Sequence, residues 1–486
     1  MSMSSRRFHA SSLLATTSVA ALLLGAAASA ARAQTVVTNP SPANSVFGIG
    51  PDATAVVIDQ QSFTGDIVNP NFLPLNVNAF LQGRNTGLAI RSTSFTGSVT
   101  NAGQISVNII ENGLTPAAMA RQNVIGIAIG PAGGSGGTFA GSIINSGAIT
   151  AFGQQVRSLN AGGSAIPGSQ IPANFALASA IKVQETVTGS IVNTGTGGFG
   201  NALLAVDQRL SPFTINAFAP QSIPGALDVT APVLGGIRNA GFISATSAVG
   251  IRSTAAIPGG IVNTGYIGGA LTNGSNGGGG AGTVAAIVAS GPLQGAITNS
   301  GTIASSGSPN PALGSPLGTG IAIDVSQVTT PTTITQTAGQ ILGSIALSGN
   351  ADRVVITGGG VGGSITAPAG SAAGVTLSGG VLALGPNLGG FGPGSAPSPF
   401  VPGQGTVGTN PDSTSNLAFI TQTGGTLVLQ VNNTAAPGTF PTVSAGNVTL
   451  TSVAAAGQDG AFAAGTSLTF SKIITATGTL TDNAPA

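Results

Sequence analysis

"GGIVNTGYI", residues 259–267, is one of several near copies of the same nine residues in this chain of 486. The others are "GSVTNAGQI" (97–105), "GSIINSGAI" (141–149), "GSIVNTGTG" (189–197), "GGIRNAGFI" (235–243) and "GAITNSGTI" (295–303). A partial copy, "GDIVNP", occupies 65–70, and a looser one, "ITQTAGQI", occupies 334–341. A short apolar stretch precedes most copies: "GLAIRST" (87–93), "IGIAIG" (125–130), "ASAIKVQ" (178–184), "AVGIRST" (248–254) and "VAAIVAS" (284–290). One unit therefore reads as three short period-2 strands in about 20–25 residues, separated by Gly and Asn corners.

Stacked copies of a three-stranded unit predict an all-β fold, a right-handed parallel β-helix. Each coil pairs with the coils on either side, and the isoleucines stack inward. The predicted corners are Asn101 with Gly103, Asn145 with Gly147, Asn193 with Gly195, Asn239 with Gly241, Asn263 with Gly265, and Asn299 with Gly301. Glycine there would supply positive φ, and asparagine would tolerate the same region and ladder onto the next coil through its amide. Within 259–267, Ile261 and Ile267 should face the core, Asn263 and Gly265 should turn the chain, and Tyr266 should point outward. The rival architecture, a flat sandwich, fits less well, because its strands rarely repeat one corner sequence. Helices are disfavoured by the Gly and β-branched content. The spacing of the motif varies from 24 to 48 residues, so a longer interval is either two coils or one coil plus an inserted loop. Division by unit length gives roughly 15–18 coils and a rod about 70–85 Å long.

Residues 1–33 read separately, as a secretory signal peptide. Arg6 and Arg7 precede an apolar run, and Ala31-Arg32-Ala33 ends it with cleavage expected between Ala33 and Gln34. The alternative, an uncleaved anchor, has a core barely long enough to span a bilayer. Loss of Arg6, Arg7 and Arg32 leaves ten basic residues against the chain's twelve acidic ones. Charged residues are only 5% of the whole, with no basic cluster of the kind that phosphate neutralisation needs, so nucleic acid is not an expected partner. There is no cysteine, hence no disulfide framework. Beyond the repeats at 34–384, residues 385–414 form a Pro/Gly-rich loop or linker, and strands resume over 415–486.

The motif, "GSIALSGNADRVV" (343–355) and the run from "FITQTGGTLVLQV" (419–431) to "KIITATGTL" (472–480) together resemble the passenger of a Gram-negative autotransporter, a type V secreted protein. The resemblance covers nearly the whole chain after residue 33. It implies export through the inner membrane to the cell surface or the medium, and a role in structure or adhesion. The implied partners are a host or neighbouring cell surface, matrix, or further copies of the chain. Such proteins end in an outer-membrane barrel of a few hundred residues. This sequence stops at Ala486 without one, so it reads as a passenger fragment, a truncated gene product or a β-helix secreted by another route; outer-membrane anchoring is not assumed for this chain, and a product without any barrel would be periplasmic.

The single histidine, His9, lies in the signal, which removes His-based triads, Cys–His nucleophiles and ordinary zinc sites. No catalytic, cofactor-binding or metal-binding residue is expected, and no cofactor. A carbohydrate-active or glycan-binding β-helix, working through carboxylates with Arg or Lys, is the remaining alternative. Its candidate pairs are Lys182 with Glu185, Asp207 with Arg209, and Asp352 with Arg353, each more readily a surface or turn charge. Asp352 and Arg353 are strand neighbours and should face opposite sides. A self-associating surface filament is the third reading. Loops at 68–86, 108–123, 152–176, 206–233 and 385–414 are the candidate binding elements.

Overall fold

The computed structural model describes residues 54–482, except 59–60, 70, 73–76, 79, 84–85, 113–123, 131–135, 157–177, 195–202, 210–224, 247–248, 271–284, 307–319, 385–413, 432–442, 451–452, 458–473 and 477–479. The signal segment with Ala33 and Gln34, and the corner at Gly195, lie outside the described residues. Every described element is a strand, and apart from one short hairpin (Asn71–Phe72 with Val77–Asn78) every pairing is parallel. The chain is a parallel β-helix.

Each coil has three faces. In one coil they are Val249–Ser253, Ile261–Asn263 and Tyr266–Ala270. The first faces form an eleven-stranded sheet running from Thr54–Ile58 to Thr414–Ser415, and the second and third faces together form a sheet of 24 strands. In the first four coils a short four-stranded sheet fills the corner between first and second faces, with Ser62–Thr64, Ser94–Thr96, Thr138–Ala140 and Thr186–Val187 in parallel.

The core consists of stacked side chains. On the first face the register aligns Leu88, Ile127, Ile181, Leu227, Ile251, Ile287, Ile323, Ile345 and Ile365. On the second face it aligns Ile67, Val99, Ile143, Ile191, Ile237, Ile261, Ile297, Ile334, Val354 and Val375. The third face contributes Ile105, Ile149, Ile243, Ile267, Ile303, Ile341 and Val361, all buried. Ile261 and Ile267 both lie in this core, as their alternation in the motif requires. At the first corner Phe63, Phe95 and Phe139 stack face to face with centroids 5.1 and 4.4 Å apart. Later coils refill that column with Val187, Val233, Ile257, Leu293 and Val328.

Eleven first-face levels at about 4.8 Å each make about 50 Å, and Val443–Leu450 and Ile474–Ala476 stack beyond them on the second face. The stack is shorter than length alone suggests. Asn101 meets Asn145, Asn145 meets Asn193, and Asn193 meets Asn239, across intervals of 44, 48 and 46 residues. Each long interval is thus one coil plus an insert. Residues 385–413 are also an insert: Gly374–Leu384 and Leu417–Val431 pair in register on either side of it.

Candidate functional site

The repeated corner is a continuous carboxamide ladder. Asn69, Asn101, Asn145, Asn193, Asn239, Asn263 and Asn299 follow an inward isoleucine or valine by two residues, so they point inward at the end of the second face. All are buried. Each Nδ2 donates to Oδ1 of the next coil's asparagine at 2.6–2.8 Å, and Asn299 donates to Oε1 of Gln336 at 2.8 Å. Further donations go to backbone carbonyls: Asn263 Nδ2 reaches Gly265 O and Thr302 O, both at 3.1 Å. The ladder ends at Gln336, whose register partner is Ile356.

The turn itself follows the asparagine. Thr264 N and Gly265 N both donate to Asn239 O in the preceding coil, at 2.8 and 3.2 Å. The corner glycines serve a purpose other than positive φ. Gly103, Gly147, Gly241, Gly265 and Gly301 stay out of the left-handed region, which this column enters only in later coils, from Gly339 (φ 63°) to Gly425 (φ 71°). What excludes a side chain in the early coils is the close approach of successive turns. A Cβ on Gly265 would run into Gly241 O, and one on Gly301 into Gly265 O. Tyr266 does leave the core side of its strand, but it is half-buried: its ring packs on Phe242, centroids 5.6 Å apart, and lies across Gly268. Burial pushes its phenol up to about 12.

The charged residues group differently from their sequence neighbours. Lys182 stands in register with Asp228, and Asp228 with Arg252, on the first sheet. Arg252 Nη1 lies 3.7 Å from Asp228 Oδ1. Burial raises the Asp228 carboxyl above its usual value, against the opposing pull of Arg252 and Lys182. Glu185, proposed above as the partner of Lys182, is buried against Gly130 and Gly137. Asp352 is a turn residue but no surface charge: it is fully buried. Its Oδ1 accepts from Thr332 N (2.7 Å), and its Oδ2 from Ser348 N (2.6 Å) and Oγ (2.8 Å). Arg353 turns away, donating to Asp352 O and Ala372 O and lying over the Phe419 ring at 4.9 Å. Asp207 and Arg209 lie in the strand Leu203–Arg209, and their side chains lie outside the described residues.

Among the described residues, Asp228 and Asp324, the two acids that share a register column, do not make a carboxylate pair. Three register steps separate Asp228 from Asp324, through Arg252 and Val288, or about 14 Å at 4.8 Å per step. Glycosidase pairs stand about 5–9.5 Å apart. Asp324 Oδ1 already accepts from Ser326 N and Oγ. Among the described residues no three His, Cys, Asp or Glu side chains come together as a metal site would need, and no helix is long and apolar enough to cross a membrane.

The inserts have a common place. Residues 113–123, 157–177, 210–224, 271–284, 307–319 and 385–413 all connect a third-face strand to the first-face strand of the next coil. The same corner closes elsewhere with two residues, 247–248, and with Gly343 alone. The candidate loops 108–123, 152–176 and 385–414 overlap these segments, but 108–112 and 152–156 are the ends of third-face strands and Thr414 begins a first-face strand, because those strands run longer than the repeat suggests. Within 206–233 only 210–224 is such a segment, with strand at 206–209 and 225–229, and 68–86 takes in the first coil's second corner, its third-face strand Phe80–Gly83 and the junction 84–85. Their interiors lie outside the described residues, although 225–233 is coil. Neither a protein family, nor a curated protein, nor a solved structure matches this chain.

Proposed function

We propose that the chain is an exported, non-enzymatic rod of the autotransporter-passenger type, which presents binding segments from one edge to a cell surface or matrix. The observation that carries this reading is the position of the inserts. Two residues suffice to close the third corner at 247–248, so segments as long as 157–177 or 385–413 exceed what the coil requires. Long loops fixed on a rigid scaffold are where specificity usually resides. The asparagine ladder and the clasp at Asp352 belong to the scaffold, and Asp324, the acid in register with Asp228 among the described residues, stands too far from it to act as a pair.

The test replaces 157–177 and 271–284 by Ser-Ala, the residues at 247–248, singly and together. The variants should keep the β-sheet circular dichroism signal and thermal stability of the parent, and lose binding to cultured cells or immobilised matrix. Undiminished binding after both replacements, or a parent chain that binds neither surface, would refute the reading. Export is tested separately, by fractionating cells that express the whole chain and sequencing the N-terminus of the product, which should begin at Gln34.

A further inference from the structure

Lys182, Asp228 and Arg252 form a polar cluster that the scaffold leaves unsatisfied. They alternate with the buried residues Ile181 and Val183, Leu227 and Val229, and Ile251 and Ser253, so they stand on the outer side of the first sheet. Ala128 precedes them in the column and Val288 follows, so neither adjacent rung carries a charge. The side chain of Asp228 is 5% exposed and that of Arg252 18%. Lys182 is also partly exposed. The contact of 3.7 Å between Arg252 Nη1 and Asp228 Oδ1 is too long for a hydrogen bond. Asp228 Oδ1 and Arg252 Nε are both buried, and neither has a hydrogen-bond partner. A buried acceptor and a buried donor on neighbouring rungs are costly to leave open.

We infer that this cluster is a binding site for a neutral sugar, one hydroxyl donating to Asp228 Oδ1 and accepting from Arg252 Nε while a neighbouring hydroxyl accepts from Lys182 Nζ. The class of ligand follows from the signs of the charges. A cation would suit Asp228 but meet Lys182 and Arg252. An anion would suit the two bases but meet Asp228. A hydroxyl supplies a donor and an acceptor in one uncharged group. The same side of the sheet also offers an apolar flank. Val249, Ala285 and Val288 form a cluster apart from the main core, with Ile321 packed on it. Val288 stands in register with Arg252, and Val249 with Gly225, three residues before Asp228. A few convergent polar groups against an apolar wall are the make-up of a small-molecule site, and the wall suits the C–H side of a sugar ring. Water offers the same hydroxyl chemistry without the ring, and the experiment separates the two. The site lies on strands of the coil and not on an insert, so it is additional to the binding edge proposed above.

The probes are the methyl glycosides of glucose, galactose, mannose and N-acetylglucosamine, with acetate and methylammonium as ionic controls, each titrated calorimetrically into the full chain. At least one glycoside should give saturable heat, and its binding should slow amide exchange over 225–229 and 249–253. Asp228→Ala and Arg252→Met should each weaken that binding by about tenfold or more. Lys182→Met changes a partly exposed side chain, keeps the test open where a buried substitution unfolds the coil, and should weaken binding by about threefold or more. No saturable heat from any of the glycosides overturns the inference and leaves water as the partner of Asp228. Equal affinity in the parent and the folded variants overturns it as well. So does saturable binding of acetate or methylammonium in place of the sugars, which would make this an ion site.

Discussion

Asn263→Ala tests whether the ladder stabilises the coil or only fills space. The side chain is wholly buried and takes part in two ladder bonds, accepting from Asn239 at 2.7 Å and donating to Asn299 at 2.7 Å. Each is worth about 1 kcal/mol net. Truncation also strips Asn299 Oδ1 of its donor inside the core, at about 1–3 kcal/mol, whereas Asn239 Nδ2 keeps Gly241 O and Tyr266 O. The sum is about 3–5 kcal/mol. Gln336→Leu, at the ladder's end, is the control. It removes one ladder bond, leaves Asn299 Nδ2 with Gly301 O and Gln340 O, and faces Ile356 on its far side, so about 1–2 kcal/mol is expected. A solenoid need not unfold in one step, so the measurement is native-state hydrogen exchange at the amides of 261–267 and 334–341. A loss below about 1 kcal/mol at Asn263, or equal losses in the two variants, would refute the reasoning.

Gly265→Ala should destabilise its coil by about 2 kcal/mol or more, because the new methyl meets Gly241 O. Gly349→Ala, with open space at the Cβ position and no positive φ, should be close to neutral in the same native-state hydrogen-exchange measurement. Tyr266 is the only tyrosine, so an ultraviolet pH titration reads it alone. The folded protein should ionise near pH 12, and the protein in denaturant near 10. Asp228 makes a pH prediction at the other end of the scale. Its folded pKa lies above the unfolded one, so its contribution to stability is complete below the unfolded pKa and is lost as pH rises through the folded value. Asp228→Asn should remove that downward slope from urea midpoints measured upward from pH 3.8, and an unchanged slope would count against the assignment.

The inward isoleucines and the ladder itself were legible because period-2 alternation inside a repeated sequence fixes which side chains face the core, and a buried asparagine at a fixed place in every coil must find its partner in the next one. The coil number was not legible, since an interval of 44 to 48 residues gives no sign of how much belongs to the coil. The phenylalanine column had a sequence signal that the repeated motif overshadowed: "SFTG" at 62–65 and 94–97 and "TFAG" at 138–141 stand immediately before the recurrent corner. The Lys182–Asp228–Arg252 group had none. Its members are 46 and 24 residues apart, and only the stacking of three successive coils, with the insert 210–224 between the first two, brings them into register. Asp352 was misplaced for a related reason: one of the groups that make its burial tolerable, Thr332 N, comes from the preceding coil, 20 residues away, while Ser348 lies only four residues before it.

The distribution of the ladder has a physical rationale. Space alone does not demand an amide, since Ile356 and Leu377 occupy the same column. Five of the seven ladder steps from Asn69 to Gln336 cross an insert, the other two crossing 84–85 and 247–248, and the column becomes aliphatic where Gly343 and residues 363–364 are the whole connection. After the insert 385–413 an amide returns, the buried Gln422, in register with Leu377. Closing a 21-residue insert such as 157–177 costs about 2 kcal/mol more than closing a two-residue junction, and a long insert also lets the next coil re-enter one residue out of step. An isoleucine column resists that slip through burial alone. A carboxamide adds a directional partner, and a slip of one residue would leave it buried without hydrogen bonds, at about 1–3 kcal/mol per orphaned group. The ladder is therefore concentrated where the connections leave register least constrained, and it is this fixing of register that allows the third corner to carry inserts of such different lengths.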